Sequence, residues 1–129
     1  MLDIKKIIDK TLNLKLLYVE DNKDARESTF DVFEIFFKDI DVAINGEDGL
    51  QKCINKKYDL IITDITMPKE NGTQMIKKIR ELSIDVPILV FSAHNEIKYM
   101  RSIENININY YLPKPLSLDQ LLEALDRVV

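Results

Sequence analysis

Between Lys15 and the end of the chain, short apolar runs alternate five times with segments of helical period, and this pattern restricts the fold most tightly. The runs are Leu16-Leu17-Tyr18-Val19, Val42-Ala43-Ile44, Leu60-Ile61-Ile62, Ile88-Leu89-Val90-Phe91 and Tyr110-Tyr111-Leu112. A strand with one wet face alternates apolar and polar residues. Several of these runs are apolar throughout, which marks strands buried on both faces, as in a parallel sheet covered by helices. In the first helical segment, Ala25, Thr29, Val32, Phe33 and Phe36 share one face. Further helices are predicted over about 47–56, after the turn Asn45-Gly46, and over about 73–82 and 95–104. The last opens on a capping box, Ser117 with Gln120, and carries the stripe Leu118, Leu121, Leu122, Leu125 and Val129. Strict strand–helix alternation implies an α/β fold, a doubly wound five-stranded parallel sheet with helices on both faces and right-handed crossovers. Ahead of it, Ile4, Ile7, Ile8 and Leu12 recur at helical spacing, predicting a short amphipathic helix. The chain therefore divides into an N-terminal extension over 1–14 and one domain over 15–129.

At 129 residues there is material for one hydrophobic core. A content of 46% hydrophobic and 31% charged residues is that of a soluble globular protein. The net charge of -4, without any Lys/Arg run, argues against direct nucleic-acid binding, which needs a basic footprint. From Met1 to Asn13, Lys and Asp interrupt the Ile and Leu residues, so the segment reads as neither a secretory signal nor a membrane span. The expected location is cytoplasmic. Cys53, alone in its sequence, has no internal disulfide partner and reads as a buried thiol.

In an open parallel sheet, ligands collect at the C-terminal strand ends, where the strand order reverses. Glu20-Asp21 directly follows the first apolar run, and Asp64 directly follows Leu60 to Thr63. A lone Asp at a strand end is usually a turn former or helix cap. Two acidic strand ends on neighbouring strands would instead bring three carboxylates into one pocket, where their mutual repulsion calls for a cation. Oxygen ligands of this kind suit a hard divalent ion such as Mg2+ or Mn2+. Ser92 ends the fourth strand with a hydroxyl, and Lys114 follows the fifth with a compact positive charge. Phosphoryl transfer needs mainly positioning and charge stabilisation, and a carboxylate can itself be the nucleophile. Pro113, lacking an N–H, fits only an edge strand. The Lys114–Pro115 bond is a candidate for cis geometry, which would turn the chain and aim Lys114 inward.

Five separated blocks, in order, resemble receiver domains of two-component phosphorelay systems, of the chemotaxis-regulator-like kind. They are Leu17-Tyr18-Val19-Glu20-Asp21-Asn22, Asp64-Ile65-Thr66-Met67-Pro68, the single position Gly72, Phe91-Ser92-Ala93, and Tyr111-Leu112-Pro113-Lys114-Pro115, over a span from Lys15 to Val129. The resemblance implies a flavodoxin-like strand order 2-1-3-4-5 and a signalling switch rather than an enzyme. By the same resemblance Asp64 is the phosphoacceptor. Glu20, Asp21, Asp64 and the backbone carbonyl of Thr66 form the metal site, and Lys114 and Ser92 hold phosphoryl oxygens. Ser92 and Tyr111 are the switch pair, and Thr66 and His94 set the dephosphorylation rate. The implied phosphodonor is a sensor histidine kinase or histidine phosphotransfer protein, docking on the first helix, with Phe30 and Phe37 as either contact or edge-of-core residues. Output is expected from the face made by the helix at 95–104, the fifth strand and the last helix, toward a downstream protein target or effector domain, with a homodimer through that face as a further implied association.

Two positions depart from the family pattern. Asn107-Ile108 replaces a Gly-Ala turn, with the bulkier Ile108 expected to alter local packing, and Gly49 replaces an Ala, which should weaken its helix. The alternative readings are a receiver cut from a longer regulator with a C-terminal effector domain, a receiver that no longer accepts phosphate, a small Mg-dependent phosphatase and a flavin- or nucleotide-binding module. The phosphatase would need an acid at Thr66, and the anion-binding module would meet repulsion from Glu20-Asp21.

Overall fold

A computed structural model describes residues 2–65, 72–92 and 108–129. Its five strands are β1 Lys15–Val19, β2 Asp39–Ala43, β3 Leu60–Asp64, β4 Ile88–Ser92 and β5 Tyr110–Pro113. They form one parallel sheet in the order β2-β1-β3-β4-β5. The three central strands are buried along almost their whole length, while β2 and β5 are half-buried edges. The continuous apolar runs thus match the central positions. The edges are protected against further pairing by Asp39 and Asp41 on β2 and by Pro113 on β5.

Side chains alternate faces along each central strand. Leu16, Tyr18, Leu60, Ile62, Leu89 and Phe91 join one core cluster, and Leu17, Val19, Ile61, Ile88 and Val90 join the other. The first cluster is covered by α1 Ile4–Thr11, α2 Lys23–Phe33 and α5 Leu118–Val128; the second by α3 Gly46–Asn55 and α4 Gly72–Glu81. The helix expected over 95–104 lies outside the described residues.

Helix starts follow local capping chemistry. Asp3, Asn22, Asn45 and Ser117 are in extended backbone, and each accepts a backbone N–H from the first turn of its helix. The extension is built into the first core. Ile7 is buried there, and the Thr11 hydroxyl donates to the Phe36 carbonyl at 2.6 Å inside the protein.

Several local expectations change. The second strand begins earlier than the apolar run, at Asp39, and ends before Ile44, which is 54% exposed. Its acids are accommodated because Lys56 Nζ lies 3.0 Å from Asp41 and the Tyr58 hydroxyl donates to Asp41 at 2.6 Å. Leu118 is 47% exposed in the first turn of α5, and Ala124 takes a core place beside Leu121 and Leu125. Phe37 is a core residue, while Phe30 stays half-buried on α2. Ile108 packs against the second cluster. Gly49 has a packing reason. A Cβ there would stand 2.7 Å from Met75 Sδ and 3.1 Å from Val19, so the small residue lets α3 approach α4 and β1 closely. The Lys114–Pro115 peptide is cis.

Candidate functional site

The register of the sheet creates the site. Val19 pairs with Thr63, so the next residues, Glu20 and Asp64, leave neighbouring strands side by side. Farther along, Asp64 pairs with Phe91 and Ser92 pairs with Pro113, which brings the ends of β4 and β5 to the same edge of the sheet. The Lys114 N–H donates to the Ser92 carbonyl at 2.9 Å and carries the pairing one residue beyond β5.

Glu20, Asp21 and Asp64 each offer a carboxylate oxygen within 4.8 Å of the others. Glu20 and Asp64 are buried, and Asp21 is half-buried. Lys114 reaches in from its half-exposed position, with Nζ 3.4 Å from Asp64 Oδ1 and 3.5 Å from Glu20 Oε1. Asp64 Oδ1 also accepts the Ile65 N–H at 2.8 Å, and Glu20 Oε2 accepts the Asn22 N–H at 3.3 Å. Among the described residues, Glu20 Oε1 is enclosed and accepts no hydrogen bond, and the compensation it finds there is the ion-pair contact with Lys114.

These distances set the electrostatics. Burial pushes the Glu20 carboxyl up to about 7, the nearby Asp64 adds to the rise, and Lys114 opposes it. Burial works against the Lys114 ammonium, but Asp64 and Glu20 together more than offset it and hold its pKa above the ordinary lysine value. Among the described residues, Lys114 pairs with two of the three carboxylates, Glu20 and Asp64, which leaves an excess of negative charge. A hard divalent cation with an all-oxygen preference fits this donor set and would satisfy the orphaned Glu20 oxygen.

Two features of the surrounding chain hold the acids in place. A Cβ on Gly72 would lie 2.5 Å from the Asp64 carbonyl oxygen and 2.8 Å from Ile65 Cα, and the Gly72 N–H donates to the Ile65 carbonyl at 2.8 Å. The start of α4 therefore sits directly on the backbone that carries Asp64. On the other side, Arg26 in α2 donates through Nη1 to the Glu20 carbonyl at 2.9 Å and to the Asp21 carbonyl at 3.4 Å. Sequence reasoning singled out Gly72 only as part of a motif and missed Arg26, because a basic residue in the second turn of a helix is indistinguishable in sequence from a solvated one.

Of the residues picked out from sequence, Glu20, Asp21, Asp64, Ser92 and Lys114 converge on one end of the sheet. Ser92 is fully buried at the end of β4, and Tyr111 is half-buried in β5, paired with Val90 and packed against the second core cluster. Thr66 and His94 lie outside the described residues. Among the described residues, no helix is long and apolar enough to cross a membrane.

A sequence profile of the family described as "Response regulator receiver domain" matches residues 16–126. The transcriptional regulatory protein CiaR of Streptococcus pneumoniae is 33% identical over 108 residues, covering 84% of this chain and 48% of that protein. The transcriptional regulatory protein CpxR homolog of Haemophilus influenzae is 33% identical over 116 residues, covering 89% of this chain and 50% of that one. The chain thus spans about half the length of the curated relatives it matches. Among solved structures, the N-terminal domain of an uncharacterized protein from Wolinella succinogenes is similar with a TM-score of 0.79 and 35% identity, covering 88% of this chain and 92% of that one. The response regulator protein TrrA from Thermotoga maritima, solved in complex with Mg(2+)-BeF, is similar with a TM-score of 0.79 and 29% identity over 91% of this chain and 100% of that one.

Proposed function

The chain belongs to the response-regulator receiver family of two-component signal transduction, and on that premise we propose that it is a phosphorylation switch with Asp64 as phosphoacceptor. The observation that carries this reading is the joint placement of Asp64, Glu20 and Asp21 with Lys114 3.4 Å from Asp64 Oδ1. In the proposed reaction a carboxylate oxygen of Asp64 forms a new O–P bond while the P–N bond of a donor phosphohistidine breaks. The electron pair leaves with the imidazole nitrogen, which is then protonated. The donor is a sensor histidine kinase or histidine phosphotransfer protein.

Glu20, Asp21, Asp64 and the Thr66 carbonyl would hold Mg2+ or Mn2+. Such an ion, when bound, supplies positive charge against the phosphoryl oxygens. Lys114 offsets negative charge at Asp64 and is held protonated by the two acids beside it. Ser92 is assigned a hydroxyl contact to a phosphoryl oxygen, and Tyr111 the coupled switch role. Phosphorylation then favours one of two arrangements of the face that includes β5 and α5, which is the output offered to a downstream protein target, an effector domain or a second copy of the chain. Residues 15–129 form this receiver unit, with 1–14 as an extension, and the proposed setting is the cytoplasm.

The test is incubation with Mg2+ and a small phosphodonor, read by intact mass. One added phosphoryl is expected on the wild type and none on Asp64→Asn. Absence of uptake by the wild type from both a small donor and a kinase would overturn the proposal and favour a receiver that no longer accepts phosphate.

A further inference from the structure

The chain between the end of β1 and the start of α2 carries two of the three acids, yet regular structure supports little of it. The Glu20 N–H is held by the Ala43 carbonyl at 3.0 Å, the last rung beside β2. The next helical bond is Arg26 N–H to the Asn22 carbonyl at 2.9 Å. Between these anchors, the carbonyls of Glu20 and Asp21 belong to neither a strand ladder nor a helix. The guanidinium of Arg26 folds back from the second turn of α2 and takes both of them through Nη1. Each carbonyl sits in the same residue as a candidate cation ligand, so the contact fixes the backbone from which those carboxylates project.

The chemistry of the contact suits that role. Guanidinium is planar, permanently charged and presents several N–H donors in a rigid fork, so one side chain can satisfy neighbouring acceptors. Among the described residues Arg26 makes no ion pair with a carboxylate, so it does not compete with a cation for the acidic oxygens. It also adds a fixed positive charge behind a cluster of three acids.

We infer that Arg26 is a positioning residue for cation binding, pinning the Glu20–Asp21 backbone so that both carboxylates meet Asp64. This rests on the reading of the acid cluster as a divalent-cation site. The arrangement is the oxygen-ligand counterpart of groups that orient metal ligands from behind, whose loss lowers metal affinity by roughly tenfold to a hundredfold.

Arg26→Met and Arg26→Lys would be compared with wild type by calorimetric titration with Mg2+ alone. Backbone amide relaxation and hydrogen exchange at residues 20–22 would be followed by NMR in cation-free buffer. Both variants should bind Mg2+ at least about tenfold more weakly. Both should show a loosened backbone at 20–22 before any cation is added, since Lys keeps the charge without the fork. Circular dichroism and thermal melts establish that each variant is folded. Wild-type affinity in Arg26→Met would overturn the inference while leaving the site itself standing. Full affinity in Arg26→Lys alone would show that charge rather than positioning is what matters, and an unchanged backbone in both variants would show that Arg26 does not position it; either would also overturn the inference. Failure of the wild type to bind Mg2+ would remove the reading of the site and the role of Arg26 together.

Discussion

Replacing Glu20 by Gln should make the cation-free protein more stable at alkaline pH, although it removes a proposed ligand. Glu20 is 1% exposed, and among the described residues its Oε1 accepts no hydrogen bond. Burial first, and then the proximity of Asp64, raise its carboxyl from 4.5 to about 7. A folded-state value above the unfolded one means that the folded protein holds this proton more tightly. The associated stability is complete below 4.5 and is lost as pH rises through about 7. Each pH unit across that gap is worth about 1.4 kcal/mol, so the whole loss is about 3 kcal/mol. Gln has nearly the same shape and cannot ionise, so the variant lacks this loss. The assay is urea unfolding in EDTA at about pH 4.5 and about pH 8.5, with wild type and Glu20→Gln compared at each. Wild type should lose about 3 kcal/mol more than the variant between the two conditions. Adding Mg2+ at the higher pH should stabilise wild type strongly and the variant less, because a ligand stabilises only the state that binds it. Parallel pH profiles in EDTA would refute the reasoning, since they would mean that the buried carboxylate carries no ionisation penalty.

Gly72→Ala should cost about 1–3 kcal/mol, since its new methyl meets the Asp64 carbonyl at 2.5 Å and the backbone must shift. Urea unfolding reads the loss, and a slower phosphorylation rate should accompany it because the displaced peptide carries Asp64. The Cys53 thiol, buried and pushed up to about 11 by that burial, should react with a disulfide reagent near neutral pH only as fast as the protein opens, and promptly once it is unfolded. Replacing Thr66 and His94 together should change the rate at which the phosphorylated protein loses its phosphoryl group. An unchanged rate, measured by loss of the added mass over time, would remove those two positions from the proposed role.

The sheet was legible in the sequence because burial on both faces leaves a local record. Leu60-Ile61-Ile62 and Ile88-Leu89-Val90-Phe91 are apolar throughout only because helices cover each side, and that record needs no knowledge of neighbours. Where burial is partial the record fades. Edge strand β2 carries Asp39 and Asp41, so its start was invisible, and the apolar Ile44 just past its end was misread as strand. The cap at Ser117 was readable for the same local reason, since a cap bonds its own first turn, whereas Asn45, read as part of a turn, also caps its helix.

The acids of the site were also found from sequence, because Glu20-Asp21 and Asp64 each follow a strand directly. Their convergence was not a local property. It required β1 and β3 to be neighbours in a register that sets Val19 opposite Thr63, and only then does a carboxylate at each strand end become a cluster within 4.8 Å. The same holds for what surrounds them. Gly49 looked like a weakness of its helix until Met75 was found against it, and Arg26, which sequence did not single out, reaches two carbonyls with its guanidinium. Sequence by itself determined the buried central strands and which strand ends are acidic, since those are read within a few residues. Tertiary structure alone decided which ends meet, which small residue is required and which cation stands behind the acids, because each depends on atoms brought together from distant parts of the chain.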